Sequence, residues 1–409
     1  MALQRVAYIH NRYRQAGGED QTVASETAML RAHGHFVLEC GKYNAGILDQ
    51  GLVSRVGVGI NAIWNRDAYH ELKDELVRNR IDIAHFHNTM PLYSPLVYYA
   101  ARDLGIPVVQ TLHNWRFFCP AATLYRDGHV CEDCLKKNLP IDAVIHACYR
   151  GSRLGSLTQA LNILVHNSIG TFTKVVDAYI CMTEFARRKA IEGGLPAERI
   201  FVKPHFISPD PGVGDGAGNF VLFVARLSAE KGIRTLLRAW QLAQTGSVLK
   251  IVGKGPESGL VEAACREDST IEWLGEQPYE AVLELMGAAR YVVFPSEWYE
   301  TFGRVVIEAF ARGTPVVASD IGGNPELVIQ DQNGSLFKTG DVKSLAVQMQ
   351  RFSGGTPMRM REAARCSYLE HYSESGNYLR HMEIYRQAMI FTRATPTLIP
   401  PQAPMTEQS

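Results

Sequence analysis

The chain lacks an excess of charge of either sign. Lys plus Arg and Asp plus Glu each number 42 in its 409 residues, so no global field recruits nucleic acid or an anionic membrane. It also lacks any run of about 18 apolar residues, which speaks against a membrane-spanning helix. The opening "MALQRVAYIH" has neither the apolar stretch nor the small-residue cleavage site of an export signal, and reads as a buried strand. Eight cysteines without such a signal lead to the expectation of reduced thiols in a cytoplasmic chain, not a disulfide framework. No lysine–serine pair follows the glycine turn of "VGKGPE", so this is not a phosphate-hydrolysing P-loop. Nor does a G-x-G-x-x-G fingerprint follow "RVAYIH", which speaks against a nicotinamide-dependent oxidoreductase.

What is present is an ordinary globular composition, 46% hydrophobic and 21% charged, in a chain long enough for two domains or three. Apolar runs rich in Val and Ile alternate with longer helical patterns. "RVAYIH", "FVLEC", "IDIAHFHN", "PVVQTLH", "AYICMT" and "IFVKPHFI" are the strands of the first half. "FVLFVARL", "VLKIVG", "IEWLG", "YVVFPS" and "PVVAS" are those of the second. Strands this continuously apolar, separated by helices, predict parallel sheets covered on both faces. "SPDPGVGDGAGN" (Ser208 to Asn219) reads as a flexible linker. The expected division is an N-terminal domain over 1–208, a linker over 209–219 and a C-terminal domain over 220–377. A final helix over 378–393 is expected to pack back on the first domain, and 394–409 has the composition of a disordered tail. Two doubly wound domains place a ligand in the cleft between them, at the carboxyl ends of the strands.

Most chemically suggestive residues follow strands. Gly17 and Gly18 precede a helix start, where backbone N–H groups suit a phosphate; a plain tight turn is the alternative. His113 ends a strand, in a position that favours function over the commoner structural histidine. Arg226 and Lys231 flank a strand-to-helix turn and are expected to converge on one anion, the arginine as a fork and the lysine as a point charge. In "EWYETFGRVVIEAFARGTPVVASDIGGNPE" the apolar spacing predicts a helix from Thr301 to Arg312. Glu300 would stand at its entrance and Glu308 roughly 12 Å along its axis.

Taken in order, "GG", "TLHN", "RLSAEKG", "VGKGP", the two glutamates with seven residues between them and "GGNPE" resemble glycosyltransferase family four. The likeness runs from Gly17 to about Tyr385, and "RLSAEKG" and "ETFGRVVIEA" are its most specific pieces. It implies the GT-B fold, two Rossmann-like domains facing a central cleft. It also implies retaining transfer of a sugar from a nucleoside diphosphate to an acceptor hydroxyl, in glycan, polysaccharide or glycolipid synthesis. On that resemblance Gly18 approaches the donor diphosphate, which Arg226 and Lys231 neutralise. Glu300 holds donor-sugar hydroxyls. The backbone of Phe302, Gly303 and Arg304 meets the sugar and phosphates, and Glu308 takes the ribose hydroxyls. His113 bonds the donor sugar or orients the reacting groups. Glu326 of "GGNPE" is expected to be structural.

No Asp-x-Asp stands at a strand end, so no catalytic metal is expected. The competing readings are a phosphorylase or sugar-nucleotide epimerase on the same fold and a non-catalytic nucleotide-sugar binding protein. The acceptor is expected near "HNTMPLYSP" (His87 to Pro95), although His87 and Asn88 could simply close a strand. The apolar stretch from Leu154 to Ile180, flanked by Arg150, Arg153 and Lys174, favours the core over a membrane surface. That leaves open a lipid-linked acceptor and peripheral contact at the inner membrane face. Cys119, Cys131, Cys134 and Cys148 are spaced C-x11-C-x2-C-x13-C, and the tight pair suits a structural zinc; four free thiols packed as small apolar groups are the alternative.

Overall fold

The computed structural model describes residues 3–12, 17–43, 59–90 and 92–394. Strands β1 (Arg5–Arg12), β2 (Phe36–Tyr43), β3 (Ile83–Phe86), β4 (Val108–Thr111), β7 (Ala178–Cys181) and β8 (Ile200–Val202) form a parallel sheet. Their order is β2-β1-β3-β4-β7-β8. A two-stranded hairpin, β5 (Tyr125–Arg126) with β6 (His129–Val130), stands apart from it. Strands β9 (Phe220–Val224), β10 (Val248–Val252), β11 (Ile271–Gly275), β12 (Tyr291–Phe294), β13 (Val316–Ser319) and β14 (Gly334–Phe337) make a second parallel sheet, ordered β11-β10-β9-β12-β13-β14. In each sheet the order reverses direction beside its first strand, at β1/β3 and at β9/β12. Ligand-binding crevices of such sheets open at those points.

The near-continuous apolar strands are explained by helices on both faces. In β1, Val6 and Tyr8 pack with Val23 and Leu30 of the helix Gly18–Ala32. Ala7 and Ile9 point the other way, toward Leu72 and Val97. The final helix, Glu374–Ala394, lies against the first sheet and contributes Met382, Ile384 and Tyr385 to the same core as Tyr8 and Val109.

Three expectations need revision. The segment 209–219 is not a free tether. Gly214 N–H donates to the Arg312 carbonyl, Gly216 to Gly287 and Gly218 to Ala288. A Cβ on Gly214 would sit 2.2 Å from the Gly287 backbone, so glycine is there for close approach rather than for freedom. The helix expected from Thr301 begins only at Arg304 and ends at Ala311. Thr301 instead donates its hydroxyl across the cleft to the His113 carbonyl, and Phe302 is buried. Glu300 is therefore in a loop before the helix, not on its axis. Finally, β14 was not foreseen, because "GSLF" is short and begins at a glycine forced against the Val316 carbonyl.

Candidate functional site in the interdomain cleft

The two sheets meet through polar contacts between the loops at their carboxyl ends. Trp115 donates its indole N–H to the Tyr299 carbonyl at 2.9 Å, and Thr183 donates to the Thr301 carbonyl at 3.1 Å. The Glu326 carboxylate accepts from the backbone N–H groups of Glu184 and Phe185, at 2.7 and 2.5 Å. These N–H groups open the helix Glu184–Glu192, so an acidic residue of one half caps a helix of the other.

On the C-terminal side, the turn after β9 carries Lys231, whose Nζ lies 2.5 Å from Glu300 Oε1. Ser296, just past β12, donates to the same oxygen at 2.8 Å. Glu300 is buried, and its backbone is gripped by Gly322 and Gly323: a Cβ on Gly322 would come within 2.9 Å of the Glu300 nitrogen and oxygen. Gly322 also needs its φ of +62°. The glycine pair of "GGNPE" thus sets the position of the Glu300 backbone. Arg226 is exposed just past β9, and its side chain makes no hydrogen bond or ion pair with the described residues.

Gly303 caps the helix Arg304–Ala311 without a side chain. Inside that helix Arg304 Nε lies 2.9 Å from Glu308 Oε1, while its Nη1 is sealed and without a partner. Burial raises the Glu308 carboxyl above its ordinary value, and the Arg304 guanidinium only partly offsets this. Across the cleft, Gly18 opens the helix Gly18–Ala32; a Cβ there would lie 4.0 Å from Arg304 Cδ. Gly17 is its N-cap, with open space where a Cβ would be.

On the N-terminal side, His113 follows β4. Its Nε2 lies 2.7 Å from His87 Nδ1, and its ring stacks on His205, which meets Phe302 edge-on. His87 Nε2 lies 3.6 Å from Glu26 Oε2, and Glu26 Oε1 is 2.7 Å from Lys203 Nζ. Burial holds His85, His87, His113 and His205 below the ordinary histidine value, so all four are neutral at pH 7. Glu26, Lys203 and His205 were not picked out as site residues from the sequence, and His87 only as the start of the stretch expected near the acceptor. "IFVKPHFI" did carry a signal: a lysine and a histidine in an otherwise apolar run, which the structure places just past β8. A cavity beside His113 is lined by Asn88, Thr89, Met90, Pro95, Arg116 and Asn162, among others.

The four cysteines lie in the lobe after His113, with Cys119 and Cys134 buried. Burial, then the neighbouring Cys119, pushes the Cys134 thiol up to about 12. No three of their sulfurs come within 4.8 Å of one another; among the described residues only Glu26, His85 and His87 form such a ligand group. That group already has its cation in Lys203. Both nitrogens of His85 are engaged, by Tyr385 and Thr111.

Two family models cover most of the chain. Residues 16–211 match the model described as Glycosyltransferase Family 4, and 212–366 match Glycosyl transferases group 1. The chain belongs to glycosyltransferase family four. A glycogen synthase of Mycobacterium tuberculosis is 30% identical over 259 residues, which is 59% of this chain and 58% of that protein. The chain thus matches less than two thirds of that relative's length. The 2-deoxystreptamine glucosyltransferase of Streptomyces kanamyceticus is 27% identical over 72% of the chain and 74% of its own length. Among solved structures, the sucrose-phosphate synthase of Thermosynechococcus elongatus superposes with a TM-score of 0.68 at 19% identity, over 95% of this chain and 99% of the other. The Anabaena protein HepE in complex with UDP gives 0.65 at 16% identity, over 93% and 98%. These likenesses establish the GT-B fold.

Proposed function

We propose that this family four member is a retaining glycosyltransferase, moving a hexose-type sugar from a nucleoside diphosphate to an acceptor hydroxyl. The observation that carries this reading is the Lys231–Glu300–Ser296 cluster beside the entrance of the helix Arg304–Ala311, with Gly18 facing Arg304 across the cleft. As the glycosidic bond breaks, negative charge gathers on the departing diphosphate. Arg226, Lys231 and the helix entrance are the groups that would stabilise it, without a metal ion. The leaving phosphate takes the acceptor's proton on the same face, so no protein nucleophile is required. Glu300 binds the donor-sugar hydroxyls, and Glu308 exchanges part of its pairing with Arg304 for the ribose hydroxyls. A purely binding protein would have little use for His113 and its buried support.

The cavity lined by Asn88, Thr89, Met90 and Arg116 supports an acceptor site on the N-terminal side. We take the acceptor to be a glycan or lipid-linked sugar of polysaccharide or glycolipid assembly. Among the described residues no helix is long and apolar enough to cross a membrane. Exposed Ile141, Ile145 and Leu154, near Arg150 and Arg153 in the chain, support peripheral contact at the inner membrane face of a cytoplasmic enzyme. A structural zinc on Cys119, Cys131, Cys134 and Cys148 rests on their spacing alone. Elemental analysis of protein never exposed to chelator should give about one zinc per chain, and folded metal-free protein removes it.

The donor reading is tested by calorimetry with UDP, GDP and ADP and no added metal. UDP comes first, since HepE, a neighbour in fold, holds it. One of the three should bind. Folded protein that binds none of them overturns the reading.

A further inference from the structure

The proposed reaction uses His113 but gives no reason for an ion pair sealed beneath it. Glu26 and Lys203 are each only 1% exposed, 2.7 Å apart, and drawn from positions 177 residues apart in the chain. Lys203 donates again to Asn377 Oδ1 at 3.1 Å, and Tyr8 donates its hydroxyl to the second Glu26 oxygen at 3.1 Å. That second oxygen lies 3.6 Å from His87 Nε2, too far for a hydrogen bond, so the buried Nε2 has no hydrogen-bond partner and the carboxylate acts on it through charge alone; the His87 ring is near-parallel to that of Tyr8. His87 is fixed from behind, since Gln110 donates to its carbonyl at 2.7 Å. Its Nδ1 meets His113 Nε2 at 2.7 Å.

We propose that Lys203, Glu26 and His87 are positioning residues that hold His113 in its Nε2–H tautomer, leaving Nδ1 as a hydrogen-bond acceptor for a sugar hydroxyl in the cleft. The direction follows from charge. A carboxylate accepts only, so it favours the proton of His87 on Nε2 and leaves Nδ1 a lone pair. That lone pair requires the donor proton on His113 Nε2. His113 Nδ1 is then unprotonated, and it is not among the sealed, partnerless atoms of the site. Reversing the chain would aim the His87 Nε2 lone pair at the Glu26 carboxylate. Lys203 keeps Glu26 ionised in a place where burial opposes the charge, and holds its carboxyl well below the usual range. A partner that fixes the tautomer of an imidazole through its other ring nitrogen is a common device of catalytic histidines.

This inference deepens the glycosyltransferase reading, and rests on it only for the hydroxyl. The tautomer itself is read without substrate. In full-length protein labelled with 15N-histidine, long-range 1H–15N spectra at pH 7.5 distinguish the two neutral forms, with His87→Asn and His113→Asn assigning the signals. His113 and His87 should both appear as Nε2–H. In Glu26→Gln/Lys203→Met, which removes both buried charges together, the His113 signals should move toward a mixture of tautomers. Turnover of the donor, read as nucleoside diphosphate released, should fall roughly 10-fold or more with donor Kd unchanged. His87→Asn places Oδ1 where Nδ1 was and should keep the His113 tautomer; His87→Leu should lose it. A His113 found as Nδ1–H, or one whose tautomer ignores the double substitution, overturns the proposal. So does a bound metal at Glu26, His85 and His87. Loss of transfer activity with the tautomer intact would count against the glycosyltransferase reading alone.

Discussion

The two sheets share a topology but bury different chemistry. Twelve of the thirteen histidines lie in residues 1–208 or in the final helix, and 220–373 holds only His371, which is exposed. The second sheet carries the pairs Lys231–Glu300 and Arg304–Glu308 at its cleft rim, over cores of Leu, Val, Ile and Phe. The first sheet carries a glutamate, a lysine and a column of neutral imidazoles within its interior. Lys231 and Arg304 of the rim pairs keep part of their side chains open to solvent. Neither partner of the interior pair reaches solvent. One half keeps its ion pairs within reach of the cleft, and the other seals its pair inside.

Lys203→Met breaks that interior hardest. It strands an unpaired carboxylate in a dry site, a loss of about 3–5 kcal/mol. Pairing it with Glu26→Gln should restore most of the stability. Urea unfolding curves of the two variants decide the matter: equal losses would show that the pair is not coupled.

At the rim, Glu300→Gln should lower turnover about 100-fold to 1,000-fold, as removal of a group that acts on the reacting sugar does. Glu308→Gln should appear instead as weaker donor binding with a smaller effect on turnover, because the ribose is remote from the breaking bond. Near-normal turnover in Glu300→Gln would end the assignment of its role.

Acid separates the halves in another way. His85 is lowered to about 3 and His166 to about 4, each first by burial. The unfolded chain binds these protons near pH 6.5 and the folded chain does not. Stability from these groups is therefore complete above about pH 6.5 and is lost as pH falls toward 4, by up to about 1.4 kcal/mol per unit for each histidine. Thermal melts between pH 7.5 and 4.5, with histidine signals assigned to the first sheet, should show that sheet failing first. Uniform loss across both sheets would remove this contrast.

The same contrast decided what could be read from the chain. Arg226, Lys231 and Glu300 follow their strands within seven residues, and Glu308 lies on the helix that comes next, so local sequence exposes them. Eleven of the twelve strands of the two sheets were visible as apolar runs, and "GSLF" was not. The histidine column was hidden because its members are remote in sequence: Tyr8 and His381 are 373 residues apart, and His85 and Tyr385 are 300. Glu26 sits mid-helix, where an acid ordinarily signals solvent. The late start of the helix at Arg304 was hidden for a related reason. Thr301 is drawn out of it by a carbonyl from the other domain.

The smallest expected effect lies where the halves touch. Glu326 was expected to be merely structural behind the site, yet its carboxylate accepts two N–H groups at the start of the helix Glu184–Glu192 in the opposite half. Removing a carboxylate from a helix N-terminus costs about 1 kcal/mol. That energy acts only while the two domains are together, so Glu326→Ala should shift the protein toward a more open arrangement rather than unfold either sheet. Small-angle scattering should give a larger radius of gyration for the variant without ligand. A saturating nucleoside diphosphate, if it bridges Gly18 and Arg304, should close the difference. An unchanged radius with a lowered melting point would mean that Glu326 supports its own loop and not the contact between the domains.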